Sequence, residues 1–267
     1  MTDTDQAPDA SINKAPNVFA QMLRMLWHDK VALVAVIFLI IIAFCAIFGP
    51  SLLDAAATKQ NLRGRNSLPF DLAKGWLFVL GGDALGRPLL PRIIVAASNT
   101  IMVATGAVLI SMVVGSTLGL IAGYTKTRAS QIILRLADVI MSFPSLLLAV
   151  IVLYMLSPSV SNIIIVLAIT RIPIYLRTTR AEVLEIRERM FVQAARVMGA
   201  SDIRIIFRHI LPMVFPTLLT IATLDFAFVM LAESALSFLG IGIQPPEITW
   251  GLMVAQGRPY LTNAWWL

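Results

Sequence analysis

Cysteine is almost missing from this chain of 267 residues. Cys45 is the one present, and it sits inside an apolar run. No intrachain disulfide and no cluster of thiolate metal ligands can form. Histidine is nearly as scarce: His28 and His209 lie far apart and make a poor metal set. Charge is scarce as well. Asp, Glu, Lys and Arg make up 13% of the residues, against about 25% in a soluble domain, which excludes a water-soluble globule. The 15 Gly and 14 Pro follow no period, which excludes collagen and low-complexity disorder. Several motifs of chemistry are also missing. There is no Gly-x4-Gly-Lys-Ser/Thr loop to cradle a nucleotide phosphate, no Gly-x-Ser-x-Gly nucleophile turn and no His-Glu-x-x-His zinc helix. The chain is expected to be no enzyme, to hold no metal and to carry no cofactor of its own.

What the chain has in abundance is apolar surface. Hydrophobic residues are 58% of it, and the mean hydropathy is +0.83. The class that remains is an all-α, polytopic bundle of membrane-spanning helices surrounded by lipid. The net charge of +6 is explained by Lys and Arg in cytoplasmic loops, so no nucleic-acid partner is expected.

Residues 1–15 are polar and read as a disordered tail. Residues 16–30 follow, with Phe19, Met22, Leu23, Leu26 and Trp27 on one helical face, and read as an amphipathic helix lying on the membrane surface. The membrane domain occupies 31–267. Val31 to Leu53 is uncharged and forms span one, with Gly49-Pro50 expected to end it. Residues 54–92 form an outer loop. Ile93 to Thr125 holds span two, in which Ser111, Gly115, Gly119 and Gly123 fall four apart and predict a close helix contact. Span three covers about 132–156 and span four about 160–176, separated by Ser157-Pro158-Ser159. Span five covers about 210–238. With the N-terminus inside, fourteen of the 21 Lys and Arg fall inside and seven outside, which obeys the positive-inside rule.

Residues 177–211 form a polar inner loop. Ala181 to Met198 contains neither Gly nor Pro and predicts one helix, with Val183, Ile186, Met190, Ala194 and Val197 on one face. Gly199 stops it, Ser201 or Asp202 caps a second helix over Ile203–Leu211, and Pro212 ends that helix or bends it into span five. Ala194 and Ala195 are expected near the tip of this pair, where small side chains admit a close partner.

Here the residues resemble a known family. Gln193-Ala194-Ala195, then Gly199, then His209-Ile210-Leu211-Pro212 is similar to the EAA loop, E-A-A-x3-G-x9-I-x-L-P, of ABC importer permeases. Gln193 stands in place of Glu and His209 in place of Ile. Gly82-Asp83-Ala84-Leu85-Gly86-Arg87 resembles the G-T-D-x-L-G-R-D segment of dipeptide, oligopeptide and nickel permeases, with Gly82 for Thr and Pro88 for the last Asp. Ser142-Phe143-Pro144-Ser145 and Ala232-Glu233-Ser234-Ala235, followed by Gln244-Pro245-Pro246 and Trp250-Gly251, are similar to further segments of that family. The resemblance covers about residues 20–267, and the N-terminal helix points to the C-type subunit.

The resemblance implies a type I importer permease fold in a bacterial inner membrane, with five spans visible and a sixth expected but absent from this chain. It implies a B-type permease partner, two ABC subunits that hydrolyse ATP with Mg, and an extracytoplasmic binding protein that delivers short peptides or nickel. Gln193, Ala194, Ala195, Gly199, Asp202, His209, Leu211 and Pro212 then form the ATPase-coupling loop. Asp138, Arg171, Asp225 and Glu233 lie near membrane depth, where ionisable groups are costly. They either line the pathway or pack the helices, and Asp138 is expected to pair with Arg135. Asp225 also leaves open an ion-coupled secondary transporter.

Overall fold

The structure, a computed structural model, describes residues 24–125, 127–157 and 159–267. The expected tail 1–15 lies outside the described residues, as do residues 16–23 of the expected interfacial helix; residues 24–28 are helical. Two compact units divide the chain, at residues 1–44 and 45–267. Among the described residues there is no strand.

The first long helix, α1, runs Lys30–Thr58. Asp29 begins it: its carboxylate accepts from the amides of Val31 and Ala32, both at 3.0 Å, which satisfies two donors that the first turn leaves free. Val34, Ile37, Phe38, Ile40 and Ile41 are exposed around the helix, as expected where lipid is the solvent. Gly49-Pro50 does not end the span, contrary to the sequence expectation. Gly49 serves instead as a close contact: a methyl group there would lie 2.7 Å from the Ile94 side chain. Pro50 is carried within the helix, as membrane helices tolerate.

In the second unit, α2 (Leu89–Tyr124) has 36 residues, about 54 Å at 1.5 Å per residue. It exceeds a hydrocarbon core of about 30 Å, so its ends reach past the lipid. Its small-residue stripe packs against α5 (Val160–Ile186). A methyl at Gly115 would lie 2.7 Å from the Ile172 carbonyl oxygen, and one at Gly119 the same distance from that of Leu176. At Gly123 it would meet Val183 at 2.7 Å. The two backbones touch because those side chains are missing.

Between α2 and α5 the expected span three is broken. α3 (Arg128–Met141) and α4 (Ser145–Met155) meet at 90°. The ring of Pro144 disfavours a helical residue before it, and Ser142 closes α3 by bonding back to Asp138 at 2.8 Å. The long apolar run 139–156 masked that break. α5 continues ten residues beyond the expected end of span four near 176, to Ile186, with Pro173 inside it.

The helix expected over 181–198 is two. α5 ends at Ile186, a turn covers 187–189, and α6 (Met190–Val197) follows. Arg189 is extended, at φ −71° and ψ 146°. The turn folds Val192 and Ala195 back onto Val183, Ile186, Ile205 and Ile210 in one buried cluster; a straight helix cannot bury both sets. Gly199 stops α6 with φ +84°. α7 (Asp202–Phe238) then runs unbroken into span five. Residues Ile206–Ile210 form a π turn just ahead of Pro212, which loosens the register where the ring would strike the Arg208 carbonyl. Pro212 therefore neither ends nor breaks the helix. A short helix, α8 (Trp250–Gly257), packs on α7 and α2. Among the described residues, four helices are long and apolar enough to span a membrane, or five with the bent α3–α4 pair.

Gly119→Leu is expected to destabilise the bundle by about 1–3 kcal/mol through overpacking. Thermal unfolding of the detergent-purified protein reads this as a lowered Tm.

Candidate functional site

The α6 segment is tied into the bundle at three places. The Tyr124 hydroxyl, at the end of α2, donates to Asp202 at 2.6 Å and accepts from Arg196 at 3.0 Å. That bond pushes the Arg196 guanidinium above its ordinary pKa, so it is charged at any physiological pH. Arg187 donates to the Gly123 carbonyl at 2.8 Å. The Gln193 amide donates to the Glu188 carbonyl at 3.1 Å, so Gln193 braces the turn from within α6. The helix ends of α2, α5 and α7 therefore meet at one short element.

Three expectations for this region change. Ser201, one of the two expected caps, holds the cap position of α7 but makes no side-chain hydrogen bond there, and the Asp202 carboxylate accepts from Tyr124. Ala194 is exposed but Ala195 is buried, since one side of α6 is core. Met190 and Val197, expected on a face with Val183 and Ile186, are instead 86% and 87% exposed. With Met198 and Ile203 they put large apolar side chains on the surface around Gly199. His209 is half-buried in the π turn, Leu211 is half-buried and Pro212 is exposed.

The membrane-depth charges resolve into pairs. Arg171 of α5 bonds Asp225 of α7, and its guanidinium lies 4.2 Å from the Phe228 ring centroid. Glu233 is fully buried and accepts from Ser237 at 2.7 Å. Asp138 does not pair with Arg135; it bonds Arg177 of α5. The turn of α3 against α5 brings Arg177 to the carboxylate, and local spacing alone does not foresee that. The pairs join α5 to α7 and α3 to α5.

At the opposite end, Asp83 gathers the outer loop. Its carboxylate accepts from the amides of Leu85 at 2.9 Å and Arg87 at 2.8 Å, and bonds the guanidiniums of Arg87 and Arg92. Arg92 also donates to Gln256 at 2.8 Å. Gly86, at φ +75°, closes the turn; a methyl there would collide with the Asn61 carbonyl oxygen. Sequence reasoning singled out the segment but missed Arg92, nine residues after Asp83, and Gln256, which is remote from it in the chain. A cavity of about 260 Å³ opens beside these residues. Among the described residues, no three His, Cys, Asp or Glu side chains gather to hold a metal ion.

Residues 115–264 match the family described as binding-protein-dependent transport system inner membrane component. Residues 17–69 match the N-terminal transmembrane domain of oligopeptide transport permease C. The chain is 39% identical to the di/tripeptide transport system permease protein DppC of Pseudomonas aeruginosa, over 94% of this chain and 84% of that one. It is 35% identical to the dipeptide permease DppC of Alkalihalophilus pseudofirmus, over 94% and 81%. It is 34% identical to the probable D,D-dipeptide permease DdpC of Escherichia coli, over 92% and 81%.

Neutralising one partner of the Arg171–Asp225 pair, as in Arg171→Met, is expected to cost about 3–5 kcal/mol by stranding a buried charge. Arg171→Met with Asp225→Leu is expected to regain most of it, as a double-mutant cycle on thermal stability reads.

Proposed function

The chain belongs to the binding-protein-dependent transport system inner membrane component family, and on that footing we propose that it is the permease subunit of an ATP-driven importer of short peptides. The relatives named for dipeptides and tripeptides favour peptide over nickel. The remaining parts of the assembly follow from this reading: a B-type permease sister, two ABC subunits that bind Mg and ATP, and an extracytoplasmic protein that delivers the substrate. The protein lies in the bacterial inner membrane, with its N-terminus and α6 on the cytoplasmic side.

One observation carries the reading. Met190, Val197 and Met198 on the α6 segment and Ile203 at the start of α7 are large exposed apolar side chains, beside Tyr124 of α2, which accepts from Arg196 of α6 and donates to Asp202 of α7. Exposed apolar side chains grouped in so short a segment mark a protein contact, and Tyr124 links that segment to α2 and α7. Ala194 and Gly199 allow close approach, while Gln193, Asp202, His209, Leu211 and Pro212 hold the geometry behind it. An ATPase pair that grips α6 more tightly in one membrane conformation than in the other drives alternating access; equal affinity would drive nothing. An ion-coupled mechanism needs a carboxylate free to take up its ion, and Asp225 is committed to Arg171.

Gly199→Pro, which cannot adopt φ +84°, and Ala194→Arg, which adds bulk at the contact, are expected to lower peptide uptake by about five- to 150-fold, the range of a lost coupling free energy of about 1–3 kcal/mol. ATP hydrolysis and membrane yield are expected to persist. Parental uptake in both variants, or a purified assembly without an ATPase, overturns the proposal.

A further inference from the structure

Two adjoining hollows lie at the α6 end of α3. The first, about 260 Å³, lies between α2, α3 and α5, with the hydroxyls of Thr125, Thr127 and Ser130 and the guanidiniums of Arg180 and Arg187 on its walls. The second, about 450 Å³, is a groove along α3, where Arg128 and Arg135 border Ile132, Leu136 and Val139. Gln131 lines both, so the two are neighbours.

The charge here is unbalanced. Among the described residues, no carboxylate lines either hollow. Arg187 is partly compensated by the exposed Glu188 at 3.1 Å. Arg128, Arg135 and Arg180 make no ion pair with a described residue, and the buried Nε of Arg180 has no hydrogen-bond partner. The nearby Asp138 is already held by Arg177. Guanidiniums stand around the first hollow, where Thr125 and Ser130 already donate to the Ile121 and Thr125 carbonyls; along the groove, Ile132, Leu136 and Val139 are exposed apolar side chains. That combination matches one molecule with an anionic head and apolar tails.

We propose that these neighbouring hollows bind an anionic phospholipid, its phosphate between Arg180 and Arg187, with Arg128 and Arg135 adding positive charge at the edge of the groove, and its acyl chains along the apolar edge of α3. Basic pockets between spanning helices take such headgroups through charge, and each Lys or Arg near the surface contributes about 1 kcal/mol. The groove distinguishes lipid from free phosphate, since a bare phosphate leaves Ile132, Leu136 and Val139 uncovered. The inference requires only a protein in a membrane and stands apart from the transport reading.

The test uses the full chain with its copurifying subunits, reconstituted in vesicles of equal phosphatidylglycerol and phosphatidylcholine. The assembly is extracted in detergent and its retained lipid is weighed by native mass spectrometry. Retention of phosphatidylglycerol over phosphatidylcholine is expected. Arg180→Gln is expected to lower it roughly five-fold, the equivalent of about 1 kcal/mol, and Arg180→Lys to restore it. Arg128→Gln with Arg135→Gln, both on the exposed side of α3, keeps the test open if Arg180→Gln fails to assemble, and is also expected to lower retention. Equal retention of the two lipids, undiminished retention in the paired variant, or full displacement by inorganic phosphate each overturns the proposal.

Discussion

The contact of α2 with α5 through Gly115, Gly119 and Gly123 is the constraint from which the rest of the second unit follows. Within lipid there is little hydrophobic gain in bringing two apolar helices together, so association relies on close van der Waals packing. Gly115 and Gly119 let the α2 backbone reach carbonyl oxygens of α5. A side chain at either position forces the helices apart along their length. Once the two are held at that distance, the end of α2 falls beside the end of α5. Gly123 can then accept from Arg187, and Tyr124 stands where Asp202 and Arg196 can reach it.

Charge supplies what packing leaves unspecified. Apolar helices in lipid slide and rotate with little penalty, but an ion pair sets one register. Arg171 with Asp225 sets that of α5 against α7, and Arg177 with Asp138 sets α3 against α5. At the far end, Asp83 does the same for the loop before α2 by drawing in Arg87 and Arg92. The buried pairs at Asp225 and Asp83 add less stability than their number suggests, because desolvation offsets much of the attraction, and the Arg177–Asp138 pair is half exposed and adds little. Their use is to select one arrangement among several that pack equally well.

The α6 segment shows how a short element can serve two sides. Val192 and Ala195 anchor it in the core it shares with Val183, Ile205 and Ile210. The opposite side exposes Met190, Val197 and Met198. A helix of eight residues is too short to hold on its own; it is stable because one face is buried and its end is stopped at Gly199. Rigidity toward the membrane and exposure toward a partner come from the same amphipathic turn.

Local pattern was enough for much of this. The uncharged runs marked the long helices, the four-residue spacing of small side chains marked the α2–α5 contact, and Gly199 marked the end of α6, because each depends on residues a few positions apart. The EAA-like and Gly-Asp-Ala-Leu-Gly-Arg segments pointed to the correct family for the same reason. Tertiary structure decided the rest. The 90° break at Ser142–Pro144 and the continuation of α1 through Pro50 could not be told apart locally, since both are prolines in apolar runs and only the neighbours determine which one bends. The turn at 187–189 exists because burying Val192 and Ala195 against Val183 and Ile186 requires the chain to fold back, a gain that helix propensity does not record. Asp138 took Arg177 over Arg135, and Arg92 met Asp83 and Gln256, because a charge bonds whatever the packed helices bring within reach, and that reach is a property of the bundle rather than of the chain.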